Sequence, residues 1–493
     1  MSNGEPPAQQ PADDRGAAGT VFGTDFATTA YPPADDRDHA GVAAQVGSLG
    51  ASRTGSDDLR RALRGLQERR SRPQEGLAAR PVLQFSLLPD QDSLTLVVDE
   101  LLMMAADLDG STAAFRRGPA RDVLAQADFH DPVPVDELDR RLVRLVPRSA
   151  SVQTLRDVAA RLRELGYPCG LNHVAPLNPI IKGTGGPENT ARTLSFPPPW
   201  TPQLLAAPSP VTVAVIDTGI TAADRSDGWL AGVADAAGPS GIDPLDVYSW
   251  DDTPGPDGYL DYGAGHGTFV AGIVQQVAPK VTVRSYRAVD SDGIGSEVDV
   301  AKAMLAAARD GATVINLSLG SETDADQPPL AIRVALDLLA EQFPDVLCVA
   351  AAGNSGTERP AWPAAFREVV SVAALRADLQ PAAWSNRGSW VDCSTIGEGV
   401  FSTYVRGVEY EGFDPPGPGS DGPDTFPEAG PDAPEEPWAL WSGTSFAAPQ
   451  IAGAIARISQ ERGIPPREAC RRMLGLGVPV PGYGTALHLL PGS

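Results

Sequence analysis

Five short runs between residues 211 and 375 are largely apolar and rich in β-branched residues: VTVAVID (211–217), VTVRSYRAV (281–289), TVINLSLG (313–320), VLCVAAAG (346–353) and VVSVAAL (369–375). A strand wetted on one face alternates apolar and polar residues, whereas a strand that is apolar throughout must be covered on both faces. Between the runs lie stretches of helical spacing, VDVAKAMLAAARDG (298–311) and PLAIRVALDLLAEQFP (329–344). Strands and helices alternating in this way predict a doubly wound, mostly parallel α/β sheet. Its functional groups should collect at the carboxyl ends of the strands.

The rest of the chain reads differently. Residues 1–56 are rich in Pro, Gly, Ala and Asp, have no sustained hydrophobic period, and are expected to form a disordered acidic tail. Residues 57–80 read as a helix or linker, in which Leu59, Leu63 and Leu66 share one face among five arginines, the pattern of a solvated helix. From 81 to 178 the texture is that of a small α+β domain. It holds strand-like VLQFSLL (82–88) and LTLVVDELLMMA (94–105), a helix over VQTLRDVAARLRELG (152–166) stopped by Gly166, and a short strand at HVAPL (173–177). Residues 179–202 have the Gly and Pro content of a linker, and 203–493 is the α/β domain. An insertion at 407–437 carries nine acidic residues, eight prolines and no basic residue, and is expected to be a solvated loop or disordered.

Three motifs stand where strands end or helices begin. Asp217 follows the first run in VIDTG, His266 lies in GHGTFVAGIV, and Ser445 lies in SGTSFAAPQIAGAIARI, each flanked by glycine. These are the groups of a nucleophilic triad: a hydroxyl to attack a carbonyl, an imidazole to take its proton, and a carboxylate to hold the imidazole tautomer. A lone aspartate after a strand is usually a turn former, and a lone histidine in a glycine loop is usually structural. Their joint occurrence in the order Asp, His, Ser is what carries the catalytic reading. In AAAGNSG (350–356), Asn354 sits in a glycine-bounded turn where its amide can donate to a developing oxyanion, with the Ser445 backbone N–H as second donor.

With these four motifs in order, the sequence resembles the subtilisin-like serine peptidases, or subtilases, over about residues 201–493. The resemblance implies a seven-stranded parallel sheet and serine endopeptidase activity through an acyl-enzyme, in a general protease or a dedicated processing enzyme. It implies substrate-binding roles for Ser318, Leu319 and Gly320 as the strand that pairs with substrate and lines the S1 pocket. Ala351, Ala352 and Gly353 would form the opposite wall, and Gly293 and Gly295 in Asp292–Ser296 the other strand of the clamp. The 81–178 unit occupies the place of the family's propeptide, an inhibitor and folding chaperone, and 179–202 would then be open to self-cleavage. Two alternatives are a catalytically idle or autoinhibited scaffold, against which the intact four-residue site counts, and a sedolisin-type peptidase, against which the GHGT histidine counts.

Charge limits the partners. The chain has 63 acidic and 39 basic residues, a formal net charge of −24, and residues 201–493 alone hold 37 acidic against 17 basic residues. Such a chain lacks the clustered Lys and Arg of a nucleic-acid binder, so peptide or protein substrates are the expected partners. Carboxylates at Asp251, Asp252, Asp257 and Asp261 are ligands of the type calcium takes, but they lack the spacing of a defined calcium loop, and no cofactor is expected. The N-terminal twenty residues have no secretory pattern, no run approaches the ~18 apolar residues of a membrane span, and the four cysteines are far apart. The expectation is a cytoplasmic protein with reduced thiols and no membrane partner.

Overall fold

The structure is a computed structural model and describes residues 42–43, 46–47, 65–68, 70, 85–88, 95–107, 119–125, 127–175, 186–189, 210–249, 255–412, 422–427 and 435–489. Most of the expected tail at 1–56 and of the linker at 179–202 lies outside these residues.

A small antiparallel sheet comes first. Its strands are β1 (Phe85–Leu87), β2 (Leu96–Met104), β3 (Val133–Pro134), β4 (Leu142–Leu145) and β5 (Cys169–His173), with the long β2 pairing to β1, β4 and β5. Helix α1 (Val152–Glu164) lays Leu155, Val158, Ala159 and Leu162 against Val97, Leu101, Met103 and Leu171. Ser151 caps its start by accepting the Thr154 N–H, and Gly166 follows its end at φ +86°. The last strand begins earlier than the HVAPL pattern indicates. Past His173, Val174 still donates its N–H to the Leu96 carbonyl while bridging to Ser296, and the Ala175 N–H then passes to the Gly295 carbonyl.

The large sheet contains β7 (Thr212–Asp217), β8 (Thr282–Arg287), β9 (Val314–Leu317), β10 (Leu347–Ala351), β11 (Val369–Leu375), β12 (Cys393–Ile396), β17 (Val478–Val480) and β18 (Gly484–Ala486). Spatially they run β17-β18-β12-β11-β10-β9-β7-β8, and every neighbouring pair is parallel except β17 with β18. Seven strands are therefore parallel, and an eighth closes one edge antiparallel. The runs at 393–396 and 484–486 carry little apolar signal, being Cys-Ser-Thr-Ile and Gly-Thr-Ala, and are strands only because neighbours cover them. Pro479 is tolerated because β17 is the edge.

Four of the five runs are buried on both faces as expected, whereas β8 lies at the sheet edge and leaves Arg284, Tyr286 and Arg287 partly exposed. Along β7, Val213 and Val215 face one core with helices α2 (His266–Val277) and α5 (Thr444–Arg462). Ala214 and Ile216 face another core with α3 (Glu297–Arg309) and α4 (Leu330–Gln342). Leu102 and Leu142 of the small sheet, with Val135 and Leu138 of the turn between β3 and β4, join this second core, so the small unit docks on α3 and α4. Arg141 with Glu341 (2.6 Å) and Arg156 with Asp324 (3.0 Å) pair across the same boundary.

A third sheet is built from β13 (Val400–Thr403), β16 (Trp438–Trp441) and β6 (Glu188–Asn189), the last coming from the expected linker. The acidic insertion is not wholly solvated. Its β14 (Gly407–Val408) and β15 (Thr425–Phe426) form a hairpin, Phe426 is buried with its ring 4.5 Å from that of Tyr404, and Glu436 pairs with Arg406. One aromatic residue and two flanking ion-pairing positions anchor a segment whose composition otherwise favours solvent. Cys169, Cys348, Cys393 and Cys470 are free and buried.

Candidate active site

Asp217 is the last residue of β7, and His266 is the first of α2. The loops that carry them touch backbone to backbone. A Cβ on Gly267 would lie 2.1 Å from the Gly219 carbonyl, and one on Gly219 2.6 Å from that of Gly241, so glycine at both positions is a packing requirement. Asp217 Oδ1 lies 2.7 Å from His266 Nδ1 and accepts the Thr218 N–H at 2.8 Å. A carboxylate at Nδ1 places the ring proton there and leaves Nε2 as the acceptor. Asp217 Oδ2 has no hydrogen-bond partner among the described residues, so its buried charge leans on the imidazole. Trp441 and Phe446 pack on the ring at 5.3 and 5.2 Å, burying it.

Ser445 lies in the first turn of α5, where free N–H groups and the helix dipole favour negative charge. Its position is held from the strand side. Pro449 has no N–H for the carbonyl of Ser445, four residues back, and the Ser318 hydroxyl donates to that carbonyl at 2.7 Å instead. Ser445 Oγ in turn donates to the Ser318 carbonyl at 3.0 Å, and Asn316 Nδ2 donates to Ser318 Oγ at 2.9 Å. Asn354 is placed by Thr444, whose N–H and hydroxyl both donate to Asn354 Oδ1, at 2.9 and 2.8 Å. The Gly353 N–H donates to Thr444 Oγ1 at 3.0 Å, tying the Asn354 turn to the start of α5.

The remaining sequence-derived positions surround this centre. Ser318, Leu319 and Gly320 continue β9, while Ala351, Ala352 and Gly353 end and continue β10, its parallel neighbour. The Ser318 side chain points into the anchor just described, and Leu319 is buried in the core shared with α3 and α4. A Cβ on Gly320 would meet the Trp362 carbonyl at 2.8 Å. Gly293 turns at φ +83° after β8, and the Gly295 carbonyl accepts the Ala175 N–H at 2.8 Å. The 295–296 backbone thus already carries the chain's own Val174 and Ala175.

Sequence reading missed Asp243, which sits in a loop with no motif around it. Asp243 Oδ2 accepts the Gly265 N–H at 2.9 Å and Oδ1 the Leu245 N–H at 3.1 Å, and the side chain also bonds Thr218, so it joins the two motif loops. Burial pushes its carboxyl up to about 6, against the opposing effect of these donors and of Arg287. Among the described residues, no group of three or more His, Cys, Asp or Glu side chains is arranged to hold a metal. Asp261 accepts from the Val247 and Tyr248 N–H groups and the Ser291 hydroxyl, and Asp251 and Asp252 lie outside the described residues. No described helix is long and apolar enough to cross a membrane.

The doubly wound sheet carries an Asp–His pair, a serine at a helix start and an asparagine tied to that helix start, which places the chain among α/β proteins with helices on both faces of a parallel sheet. The chain belongs to the subtilase family, whose family model (Peptidase_S8) matches residues 209–474, more than half its length. It is 28% identical to a thermophilic serine proteinase of Bacillus sp. strain AK1 over 287 residues, covering 56% of this chain and 57% of that protein. It is also 28% identical to thermitase of Thermoactinomyces vulgaris over 267 residues, 52% of this chain and 77% of thermitase. The fold is similar to that of fervidolysin from Fervidobacterium pennivorans, a keratinolytic enzyme related to subtilisin, at TM-score 0.50 and 19% identity, over 79% of this chain and 60% of that one.

Proposed function

We propose that this chain is a serine endopeptidase in which Ser445 is the nucleophile, His266 the general base and acid, and Asp217 the group that orients the imidazole. The observation that carries the reading is the buried 2.7 Å contact between His266 Nδ1 and Asp217. The hydroxyl of Ser445 turns from the Ser318 carbonyl toward Nε2 when substrate enters, a tightening common to resting sites of this kind. Ser445 Oγ attacks the peptide carbonyl and its proton passes to His266. The Asn354 amide and the Ser445 N–H receive the oxyanion, and the leaving amine takes the proton back. Water then attacks the acyl-enzyme ester with His266 again as base, releasing the acid and restoring the serine.

Substrate main chain runs between Gly293–Gly295 and Ser318–Gly320, with Ala351, Ala352 and Gly353 as the far wall of the first specificity pocket. Labelling with a fluorophosphonate probe tests the site. Wild type should label and hydrolyse casein, and Ser445→Ala should do neither. Absence of labelling in the wild type would leave the scaffold reading in its place.

The small domain is read as a propeptide that inhibits the site until 179–202 is cut. Its support is the pairing of Ala175 with Gly295, which lays the outgoing chain on the clamp. Mass spectrometry of wild type beside Ser445→Ala is the test. A cut within 179–202 in wild type alone is expected, and an intact wild type that still hydrolyses peptides would make the domain a permanent accessory.

A further inference from the structure

Of the five arginines between 57 and 70, Arg70 lies among the described residues, and it is buried rather than solvated. Residues 65–68 and 70 are helical, and Arg70 is 5% exposed. Its Nη2 donates to Asp292 Oδ1 at 2.8 Å, to Asp290 Oδ2 at 2.7 Å and to the Ile294 carbonyl at 3.3 Å, while Nε donates to Asp292 Oδ2. The guanidinium lies over the Tyr248 ring, 5.4 Å from its centre. A fork bound on both oxygens of one carboxylate and resting on an aromatic face is the geometry that selects arginine over lysine.

The pocket belongs to the peptidase unit. Tyr248, Asp290, Asp292 and Ile294 all fall within the family-matched segment, and Arg70 comes from 220 residues earlier in the chain. The pocket also adjoins the candidate site. The Ala288 and Val289 N–H groups donate to the Asp217 carbonyl, and the Gly263 N–H, on the loop into His266, donates to the Ser291 carbonyl. Its rim, Gly293–Gly295, is the strand on which Ala175 is paired. An extended peptide on that strand passes alongside Asp292. Leu66, packed on Ile294 and Val174, is the other buried anchor among the described residues of the helical turn.

The geometry points to an arginine-binding subsite formed by Asp290, Asp292, the Ile294 carbonyl and the Tyr248 ring, with Arg70 as a built-in occupant that a substrate's arginine side chain displaces. Without a guanidinium, Asp292 would keep a buried charge facing Asp290, whose other oxygen is bound by Arg287 at 2.9 Å. An emptied pocket therefore draws a guanidinium strongly.

The inference rests on the peptidase reading, but binding to full-length Ser445→Ala tests it without catalysis, so a failed labelling experiment and a failed subsite remain distinct results. The probes are fluorescein-labelled tripeptides carrying one arginine at each of the three positions, each beside a twin with neutral citrulline, short enough to reach the pocket while Ala175 stays paired on Gly295. Adding Arg70→Ala should raise affinity for at least one arginine peptide over its twin by about tenfold, the range of a charge-assisted bidentate contact. Asp292→Asn on top should remove the discrimination. Arg70→Lys keeps a cation in the pocket should the alanine variant not fold, and should give a smaller gain of the same sign. Equal affinity for arginine and citrulline peptides in whichever Arg70 variant folds would overturn the proposal.

Discussion

Ser318 and Ser445 exchange hydrogen bonds in both directions, each hydroxyl donating to the other's carbonyl, at 2.7 and 3.0 Å. The Ser445 backbone is thereby held by a strand end at the point where Pro449 leaves its helix without a donor. Ser318→Ala should destabilise the fold by about 1–3 kcal/mol, the cost of an unsatisfied buried carbonyl, and lower kcat. Combined with Pro449→Ala, which restores a helical N–H, it should recover part of that stability. Urea unfolding of the single and double variants measures the coupling, and strictly additive losses would contradict the arrangement.

Thr444 bonds Asn354 Oδ1 twice, which settles the amide's oxygen end and directs the NH₂ group outward as a donor. Asn354→Ala should reduce kcat about 10²–10³-fold with little change in KM, the size such a donor has in subtilisin itself. Thr444→Val should give a smaller loss of kcat, since it loosens the amide without deleting it. Steady-state kinetics on one fluorogenic peptide compares the two.

Asp243 predicts a stability profile with pH. Burial pushes its carboxyl up to about 6 in the folded chain against 3.8 ordinarily. Between those values the native state holds a proton the unfolded chain has lost, so this group's contribution falls as pH rises through the window. Asp243→Asn lacks that loss. Its stability relative to wild type should therefore improve from pH 4 to pH 6 by up to roughly 3 kcal/mol, from a displacement of about two pH units. Denaturant melts at pH 4, 5, 6 and 7 read the difference, and a flat difference would rule the assignment out.

The acidity of residues 201–493 predicts steering. Peptides bearing several Lys or Arg should be turned over faster than acidic ones at low salt. The advantage should shrink as ionic strength rises toward ~0.15 M, where the Debye length is about 8 Å. Initial rates on matched basic and acidic peptides across a salt series check it.

The large sheet and the four motif residues were legible because their signals are local. A continuous apolar run signals a strand buried on both faces, as along 213–216, and positions pressed against another backbone must be glycine, as at 219 and 267. Strands at 393–396 and 484–486 were not legible, because small and polar residues become strands there only through their neighbours. The hairpin in the acidic insertion was missed for a like reason, since Phe426 is one anchor in a segment of charge and proline.

By itself the amino-acid sequence determined the doubly wound core and which aspartate, histidine, serine and asparagine stand at its strand ends and helix starts, since periodicity and glycine spacing are written in consecutive residues. Only the tertiary structure decided that Asp243 ties the motif loops together, that the Ser318 side chain anchors Ser445 from beneath, and that Arg70 is buried against Asp290 and Asp292. Each of these is a hydrogen bond or ion pair between residues 22 to 222 positions apart. Such pairs depend on where the folded backbone brings two distant segments together, and nothing in either segment's own composition records it.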